Sequence, residues 1–174
     1  MASKKSVVAV YPGSFDPPTL GHLNLVTRAA AIFDEVVVAV AESTSKRYVF
    51  STEERVELWH KILPKGLKNV KIDTFDGLLV KYVATKKARI LLRGLRNSID
   101  FEYEISMAQT NQTMNSEVET LFMMTEGALA HLSSSLIKEI VYLGGSVKGM
   151  VPPLIEKELK RRIGPGSQSE VIKE

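Results

Sequence analysis

The chain has 174 residues, of which 44% are hydrophobic and 25% charged, and its formal net charge at pH 7 is +3. This length fits one ordinary domain with a substantial core, and the composition excludes a disordered or fibrous chain. The small positive charge suits an anionic small ligand and is too dispersed to indicate nucleic-acid binding. The lack of cysteine excludes disulfides, thiolate catalysis and Cys-based zinc sites.

The apolar runs of the chain predict a cytoplasmic protein. Residues 1–6 are not followed by an apolar run long enough for a signal peptide. No segment approaches the roughly 20 apolar residues that span a bilayer, so no membrane partner is expected. Residues 165–174 are rich in Gly, Ser and charged side chains and predict a flexible tail after a single domain over 1–164.

The first patterned stretch predicts a strand, a tight turn and a helix. Residues 7–10 form a β-branched apolar run that a Pro-Gly pair ends. From Leu20 the apolar residues recur at helical spacing, with Thr19 as the expected N-cap. His22 then falls in the first helical turn, where free N–H groups and the helix dipole favour an anion. The stretch therefore predicts a phosphate site.

Strands and helices alternate through the rest of the chain. Residues 35–41 form an apolar run without alternation, typical of a parallel strand buried on both faces. The later segments are a helix through Leu63 opened by a capping box at 51–54, an edge strand 70–75, a helix 78–87, a very short strand 90–92, a helix 98–114, a strand 119–124, and helices 136–143 and 154–163. They predict an α/β fold with a single doubly wound, five-stranded parallel sheet and C-terminal helices.

Basic and hydroxyl side chains follow the carboxyl ends of several strands, where open α/β sheets bind their ligands. Lys46 follows the second strand, Arg93 and Arg96 flank a glycine after the fourth, and the serines 133–135 open a helix after the fifth. Guanidinium groups and helix N-termini can hold phosphate oxygens. Taken alone, each group is explained as well by a role as a surface charge or a helix cap as by a role as a phosphate ligand. Their convergence favours a nucleotide site.

Other polar residues receive ordinary structural interpretations. Glu53, Glu54 and Arg55 are interpreted as helix-terminal and surface charges, and Trp59 and His60 as packing or surface residues. The acidic residues near the start of the helix 98–114 are assigned to the helix dipole, although Glu104 could also face the ligand. The Walker motif and Gly-x-Gly-x-x-Gly are both absent from the sequence, which disfavours P-loop kinases and dinucleotide oxidoreductases.

Several short motifs occur in one order between about residues 7 and 163. They are Tyr-Pro-Gly-Ser-Phe-Asp-Pro at 11–17, Thr-Leu-Gly-His at 19–22, Ser-Lys at 45–46, Arg-Gly-Leu-Arg at 93–96, Asp-Phe-Glu-Tyr-Glu at 100–104 and Ser-Ser-Ser-Leu-Ile-Lys-Glu at 133–139. In these motifs the chain resembles the bacterial phosphopantetheine adenylyltransferases of the nucleotidylyltransferase superfamily. It departs from them at 129–132, where Leu-Ala-His-Leu replaces the family's frequent Trp-Ser-Phe-Ile.

The resemblance implies a fold, a reaction and partners. The fold is Rossmann-like, and the reaction is transfer of adenylate from ATP to 4′-phosphopantetheine by in-line attack on the α-phosphate. The products are dephospho-coenzyme A and pyrophosphate, in the penultimate step of coenzyme A synthesis. The resemblance also implies Mg²⁺ as cofactor, a homohexamer and feedback inhibition by coenzyme A. No metal ligands from the protein are implied, because Mg²⁺ is commonly held through nucleotide phosphates.

The resemblance assigns roles to individual residues. His22, Lys46 and Arg93 are the implied catalytic residues, with His22 stabilising the transition state at the α-phosphorus. The residues implied to bind phosphopantetheine are Ser14, Lys46, Leu79 and Arg93. The residues implied to bind ATP are Ser14, Phe15, His22, Gly94, Leu95, Arg96, Glu104, Leu129, Ala130, His131, Leu132, Ser133, Ser134 and Ser135.

The implied chemistry explains why no catalytic acid–base dyad is found. A phosphate monoester, with a second pKa of ~6, is mostly ionised at neutral pH and needs no general base. The reaction needs in-line positioning and charge neutralisation instead.

Two alternatives stay open. One is a sister nucleotidylyltransferase that acts on another phosphorylated acceptor, against which Lys46, Leu79 and Arg93 argue. The other is a non-catalytic module that senses nucleotide or coenzyme A, against which His22, Lys46 and Arg96 argue.

Overall fold

Strands and helices alternate along the computed structural model, which describes residues 6–42 and 47–167. The strands are β1 (Val8–Gly13), β2 (Glu35–Ala41), β3 (Val70–Phe75), β4 (Ile90–Leu95) and β5 (Glu119–Met124). The helices are α1 (Leu20–Ala30), α2 (Thr52–Ile62), α3 (Leu79–Thr85), α4 (Ser98–Met114), α5 (Ser134–Tyr142) and α6 (Pro153–Ile163), with a 3₁₀ turn at Gly127–Leu129. In the part of the chain so described, no helix has the length and apolar character needed to cross a membrane.

The five strands form one parallel sheet in the order β3-β2-β1-β4-β5. The chain moves outward from β1 to β3 on one side and then returns to add β4 and β5 on the other. The predicted doubly wound α/β fold is therefore confirmed. In such sheets ligands bind outside the carboxyl ends of the strands, at the point where the strand order reverses. Here that point lies between β1 and β4.

The buried strand β2 shows how the sheet is covered on both faces. Five consecutive residues, 36–40, are buried, as the absence of alternation predicted. Val36 and Val38 pack in one cluster with Leu25 of α1 and Trp59 of α2, whereas the alternate residues of β2 pack with α3 on the opposite face. Side chains alternate across a strand, so each face of β2 serves a different helical layer.

The strand β4 is longer than the sequence predicted. It continues through Leu95, and Arg93, Gly94 and Leu95 pair in register with residues 122–124 of β5. An arginine next to a glycine indicates a turn when it is judged alone. Here the neighbouring strand supplies hydrogen-bond partners, and the backbone stays extended.

The C-terminal helices form a second apolar cluster together with residues from α2 and from the segment before it. Ile137 of α5 and Ile155 and Leu159 of α6 are fully buried in it against Phe50 and Leu58. The helix α5 begins at Ser134 with Ser133 as N-cap, slightly earlier than predicted. Of the predicted tail 165–174, residues 168–174 lie outside the described residues, so the tail stays a prediction.

The turn after β1 is fastened to these later segments by the buried carboxylate of Asp16. Asp16 is 2% exposed and accepts hydrogen bonds from the backbone N–H groups of Val49 and Phe50 and from Lys138 Nζ, each at 3.0 Å. A buried charge is tolerated only when it is paired and hydrogen-bonded. The three donors meet that condition and connect the turn to the segment before α2 and to α5.

Replacement of Asp16 by alanine is expected to lower the free energy of unfolding by about 3 kcal/mol, because Lys138 and two buried N–H groups lose their acceptor. Denaturant unfolding measures the change. The matched control is Asp34→Ala, since exposed Asp34 accepts one backbone hydrogen bond from Val7 at 2.8 Å. The control should lose about 1 kcal/mol or less. Equal losses in both variants would contradict the role assigned to Asp16.

Candidate active site

A cavity of about 550 Å³ lies at the carboxyl ends of β1 and β4. These strands pair only through Ala9–Ile90 and Val10–Leu91, so they separate toward the cavity. The sequence-predicted site residues that line it are Ser14, Phe15, His22, Arg93, Gly94, Arg96, Glu104, Leu129, Leu132, Ser133 and Ser134. The structure therefore brings the motif residues after β1, in β4, in α4 and before α5 around one space.

Six predicted site residues are not placed in this cavity. Lys46 lies outside the described residues. Leu79, the first residue of α3, is partly buried against the core, and Leu95 is buried. Ala130, His131 and Ser135 also do not line the cavity. The binding roles that the resemblance implies for these residues stay predictions.

A second groove of similar volume, about 550 Å³, lies along α2 and contains His60. Its ionisable lining, apart from His60, consists of Glu42, Glu53, Glu54 and Glu57. Four carboxylates would repel a phosphate, whereas in the cavity at β1 and β4 two arginines balance the carboxylates of Asp100 and Glu104, and two helices begin there. Electrostatics therefore favours the cavity at β1 and β4 as the anion site.

His22 is held by a reciprocal capping box at the start of α1. The Thr19 N–H donates to His22 Nδ1 at 3.0 Å, and the His22 N–H donates to Thr19 Oγ1 at 3.3 Å. Because Nδ1 accepts a hydrogen bond, the network assigns the proton of the neutral ring to Nε2. The Phe15 ring packs edge-on against the imidazole, with 5.1 Å between the centroids. The backbone thus sets both the orientation and the tautomer of His22.

Burial, and then the charge of Arg96, lower the pKa of His22 from 6.5 to about 4. The side chain is half-buried and lines the cavity. Near neutral pH the ring is therefore uncharged. It can donate one hydrogen bond from Nε2 to a developing negative charge, without the desolvation cost of an imidazolium.

Arg93 and Glu104 form a paired group on the wall between β4 and α4. Arg93 Nε donates to Glu104 Oε2 at 2.7 Å, Nη2 donates to Oε1, and Nη1 donates to the Pro12 carbonyl at 3.1 Å. Burial acts to lower the pKa of Arg93, but the hydrogen bond and charge of Glu104 raise it above its ordinary value. Arg93 therefore remains a cation and bridges β4 to β1 where the two strands have separated.

Arg96 is held in a similar way at the end of β4. Its Nε and Nη2 donate to the two carboxylate oxygens of Asp100 at 2.8 and 2.9 Å, and Nη1 donates to the Leu132 carbonyl at 3.3 Å. The hydrogen bond from Arg96 lowers the pKa of Asp100. The pair joins β4, α4 and the segment before α5. It also keeps a guanidinium at the cavity.

Two helices begin at the cavity. Gly21 and His22 in the first turn of α1 line it, as do Ser133 and Ser134 at the start of α5. Ser133 Oγ accepts from the Leu136 N–H at 3.1 Å, and Ser134 Oγ donates to the Pro17 carbonyl at 2.8 Å. These hydroxyls therefore have structural roles, while the helix N-terminus behind them still favours an anion.

Sequence reasoning missed several lining residues and one buried cation. Tyr11, Tyr48, Tyr103 and Thr125 also line the cavity. The interpretation of Arg55 as a surface charge is wrong, because the side chain is 0% exposed. The available signal was its spacing, since positions 55, 58 and 59 share the buried face of α2.

Comparison with known proteins identifies the family to which the chain belongs. A family model described as cytidylyltransferase-like matches residues 10–140. The nicotinic acid mononucleotide adenylyltransferase of Plasmodium falciparum has a similar fold, with a TM-score of 0.69 at 12% identity over 89% of this chain and 95% of that one. The fold and the cavity therefore define a nucleotidylyltransferase-type domain of the cytidylyltransferase-like family.

Relatives with higher sequence identity to this chain identify the family within that class. The phosphopantetheine adenylyltransferase of Geobacter sulfurreducens is 48% identical over 91% of this chain and 96% of its own length. That of Geobacter metallireducens is 50% identical over 88% of this chain and 93% of its own. The chain belongs to the phosphopantetheine adenylyltransferase family.

The lowered pKa of His22 predicts a pH dependence of stability. Between about pH 4 and 6.5 the unfolded chain binds a proton at His22 that the folded chain does not. Acidification through this window therefore lowers the contribution of His22 to the free energy of unfolding. Denaturant unfolding at pH 7 and pH 5 should show a smaller decrease for His22→Gln, since glutamine can keep the capping box but does not titrate. Identical decreases would refute the prediction.

Proposed function

We propose that the protein transfers the adenylyl group of ATP to 4′-phosphopantetheine. An oxygen of the acceptor phosphate attacks the α-phosphorus of ATP, and the bond from that phosphorus to the bridging oxygen of the β-phosphate breaks. The products are dephospho-coenzyme A and pyrophosphate. The observation that carries the proposal is the convergence of a neutral His22, two paired arginines and two helix N-termini on one cavity in a member of this family.

The described residues suit a reaction that depends on positioning and charge. The acceptor phosphate is already ionised at neutral pH, so no side chain has to remove a proton. His22 Nε2–H would donate to an oxygen on the α-phosphorus, where charge is redistributed in the transition state. The N-termini of α1 and α5 and the Arg96 guanidinium would hold the remaining ATP phosphates.

Arg93 has donors left for a substrate. A guanidinium carries five N–H donors, and the bonds of Arg93 to Glu104 and Pro12 use three of them. The other two can bind a phosphate oxygen of phosphopantetheine without breaking the ion pair. Lys46 is proposed to neutralise the same phosphate near the reacting phosphoryl group, and Leu79 to contact the pantetheine arm.

Mg²⁺ is proposed to enter on the phosphates of ATP. In the described ranges 6–42 and 47–167, no group of three or more His, Asp or Glu side chains could hold a metal ion. The two cavity carboxylates, Asp100 and Glu104, are both paired with arginines. This donor set fits an ion held mainly by substrate oxygens. Bound there, Mg²⁺ would neutralise charge on the leaving pyrophosphate.

The protein is also proposed to be a cytoplasmic homohexamer. Large apolar side chains are exposed along α4 and the edge strand β5, namely Ile99, Phe101, Tyr103, Ile105, Met107, Met114, Leu121 and Met124. Such a concentration of exposed apolar surface is typical of a protein interface.

Coenzyme A is proposed to act as a feedback inhibitor. It carries the adenylyl and pantetheine groups of the product, so it is proposed to inhibit by occupying the cavity at β1 and β4.

In the His22→Ala variant, kcat for pyrophosphate release from ATP and phosphopantetheine is expected to fall by a factor of about 10²–10³, because the transition state loses a preorganised hydrogen-bond donor. A coupled pyrophosphate assay measures it. His60→Ala is the matched control, because exposed His60 lies in the other groove, and it should retain full activity.

The same assay with a panel of acceptors separates the alternatives. Turnover with nicotinate mononucleotide or glycerol phosphate, and none with phosphopantetheine, would indicate a sister enzyme. Binding of ATP without pyrophosphate release, unchanged by His22→Ala, would indicate a non-catalytic module. A loss much smaller than expected would show that His22 is not the main stabiliser.

Sedimentation equilibrium should give a mass of six chains, and Ile99→Glu should reduce it, because a carboxylate would be buried in the interface. Ile99 is 77% exposed in the single chain. Ile32→Glu is the control, since Ile32 is 66% exposed on the loop after α1. A monomeric wild-type protein would reject the hexamer. An Ile99→Glu variant that remains hexameric would exclude this face.

A further inference from the structure

Arg55 is a buried cation at the start of α2 and is 0% exposed. Within the described chain its hydrogen bonds all go to neutral oxygens, which are the carbonyls of Ser14, Ala41, Phe50 and Ser51 and the hydroxyl of Thr52. Burial of a guanidinium is costly unless its donors are satisfied. Such a residue restrains every segment that supplies an acceptor.

One of these bonds fixes the peptide unit between Ser14 and Phe15. Arg55 Nη1 donates to the Ser14 carbonyl at 2.6 Å. In a trans peptide the C=O and N–H point in opposite directions, so the Phe15 N–H is directed away from Arg55. Ser14 and Phe15 line the cavity and Arg55 does not. In the described part of the chain no backbone carbonyl accepts a hydrogen bond from this N–H.

The conformation of Phe15 requires such a restraint. Its φ is +48°, in the left-handed region that bulky side chains avoid. A residue in that region keeps its conformation only when its surroundings impose it. The Phe15 ring packs against Trp59 with 5.2 Å between the centroids, and Arg55 holds the preceding carbonyl. Side chain and backbone are therefore both restrained by α2.

The same guanidinium fixes a second wall of the cavity. Nη1 also donates to the carbonyl of Ala41, the last residue of β2, at 2.9 Å. The Tyr48 ring stacks on the guanidinium, with 4.1 Å between its centroid and Arg55 Cζ. Ala41 and Tyr48 both line the cavity. One buried side chain thus sets the distance between the turn after β1 and the end of β2.

We propose that Arg55 is a positioning residue for adenylyl transfer. It holds the Phe15 N–H toward the cavity as a donor to a nucleotide phosphate oxygen, and it acts without touching the substrate. The inference rests on the proposed function. A backbone donor that is fixed in advance contributes to transition-state stabilisation because it need not reorganise during the reaction.

The first test is Arg55→Lys, which keeps the charge but cannot bond to the Ser14, Ala41 and Phe50 carbonyls together. We expect kcat for pyrophosphate release to fall about 10²-fold, as for a misplaced reacting group, with KM for phosphopantetheine unchanged. The matched control is Arg162→Lys, because Arg162 also stacks on a ring, that of Phe50, and donates to a carbonyl, that of Val49. The control should keep wild-type kcat.

The second test reads the donor directly in wild-type protein. We expect the ¹⁵N–H resonance of Phe15 to move downfield when an ATP analogue with a methylene bridge between its α- and β-phosphorus atoms binds. In Arg55→Lys that shift should be lost while the other amide resonances show a folded chain. A Phe15 resonance that does not move in the wild-type protein overturns the inference whether or not the variant folds.

The outcomes separate the two proposals. Wild-type protein that releases no pyrophosphate refutes the proposed function, and the titration with the analogue still decides whether Arg55 presents the Phe15 N–H. Wild-type protein that is active, together with an Arg55→Lys variant of equal kcat, overturns the role of Arg55 and leaves the proposed function intact. Equal losses in Arg55→Lys and Arg162→Lys would also overturn it, since they would indicate a general loss of stability.

Discussion

Pairing between β1 and β4 stops after Val10 and Leu91, and the site depends on that interruption. On their outer sides β1 remains paired to β2 through Gly13, and β4 to β5 through Leu95. The central strands therefore separate while the sheet stays intact around them. Pro12, which has no N–H to donate, lies in the separated stretch, and its carbonyl accepts from Arg93 instead. The cavity lies where the backbone hydrogen bonds between β1 and β4 have ended, and the Arg93 side chain bridges the two strands there.

The charges around this gap are arranged in advance of any ligand. Arg93 and Arg96 are each held by two oxygens of one carboxylate. Rigid guanidinium groups lose little side-chain entropy when a phosphate binds, so more of the interaction energy is left for affinity and catalysis. The buried Asp16 fastens the turn after β1 in the same way, by satisfying three donors from other segments.

The fold could be predicted because each strand and helix carries its own signal, as in the apolar run of β2 and the capping box before α2. The cavity could be located because residues after successive parallel strands must meet at one edge. The side-chain pairs that form between different strands and helices could not be predicted. Nothing in the sequence says that Arg93 pairs with Glu104 on α4, or that Arg55 turns inward, because both depend on how helices are set against the sheet. The extension of β4 to Leu95 likewise depends on β5 lying alongside.

The capping box of α1 has a consequence for which residue types can serve at position 22. The two nitrogens of an imidazole lie on different sides of a rigid ring, so one can satisfy the Thr19 N–H while the other points elsewhere. A glutamine amide also carries an acceptor and donors on one planar group, but an additional rotatable bond holds that group less firmly, and a lysine carries donors only. Histidine at this position connects the start of a helix to the cavity through a single ring. A proton added to Nδ1 would remove the acceptor of the Thr19 N–H and so release the ring from the helix.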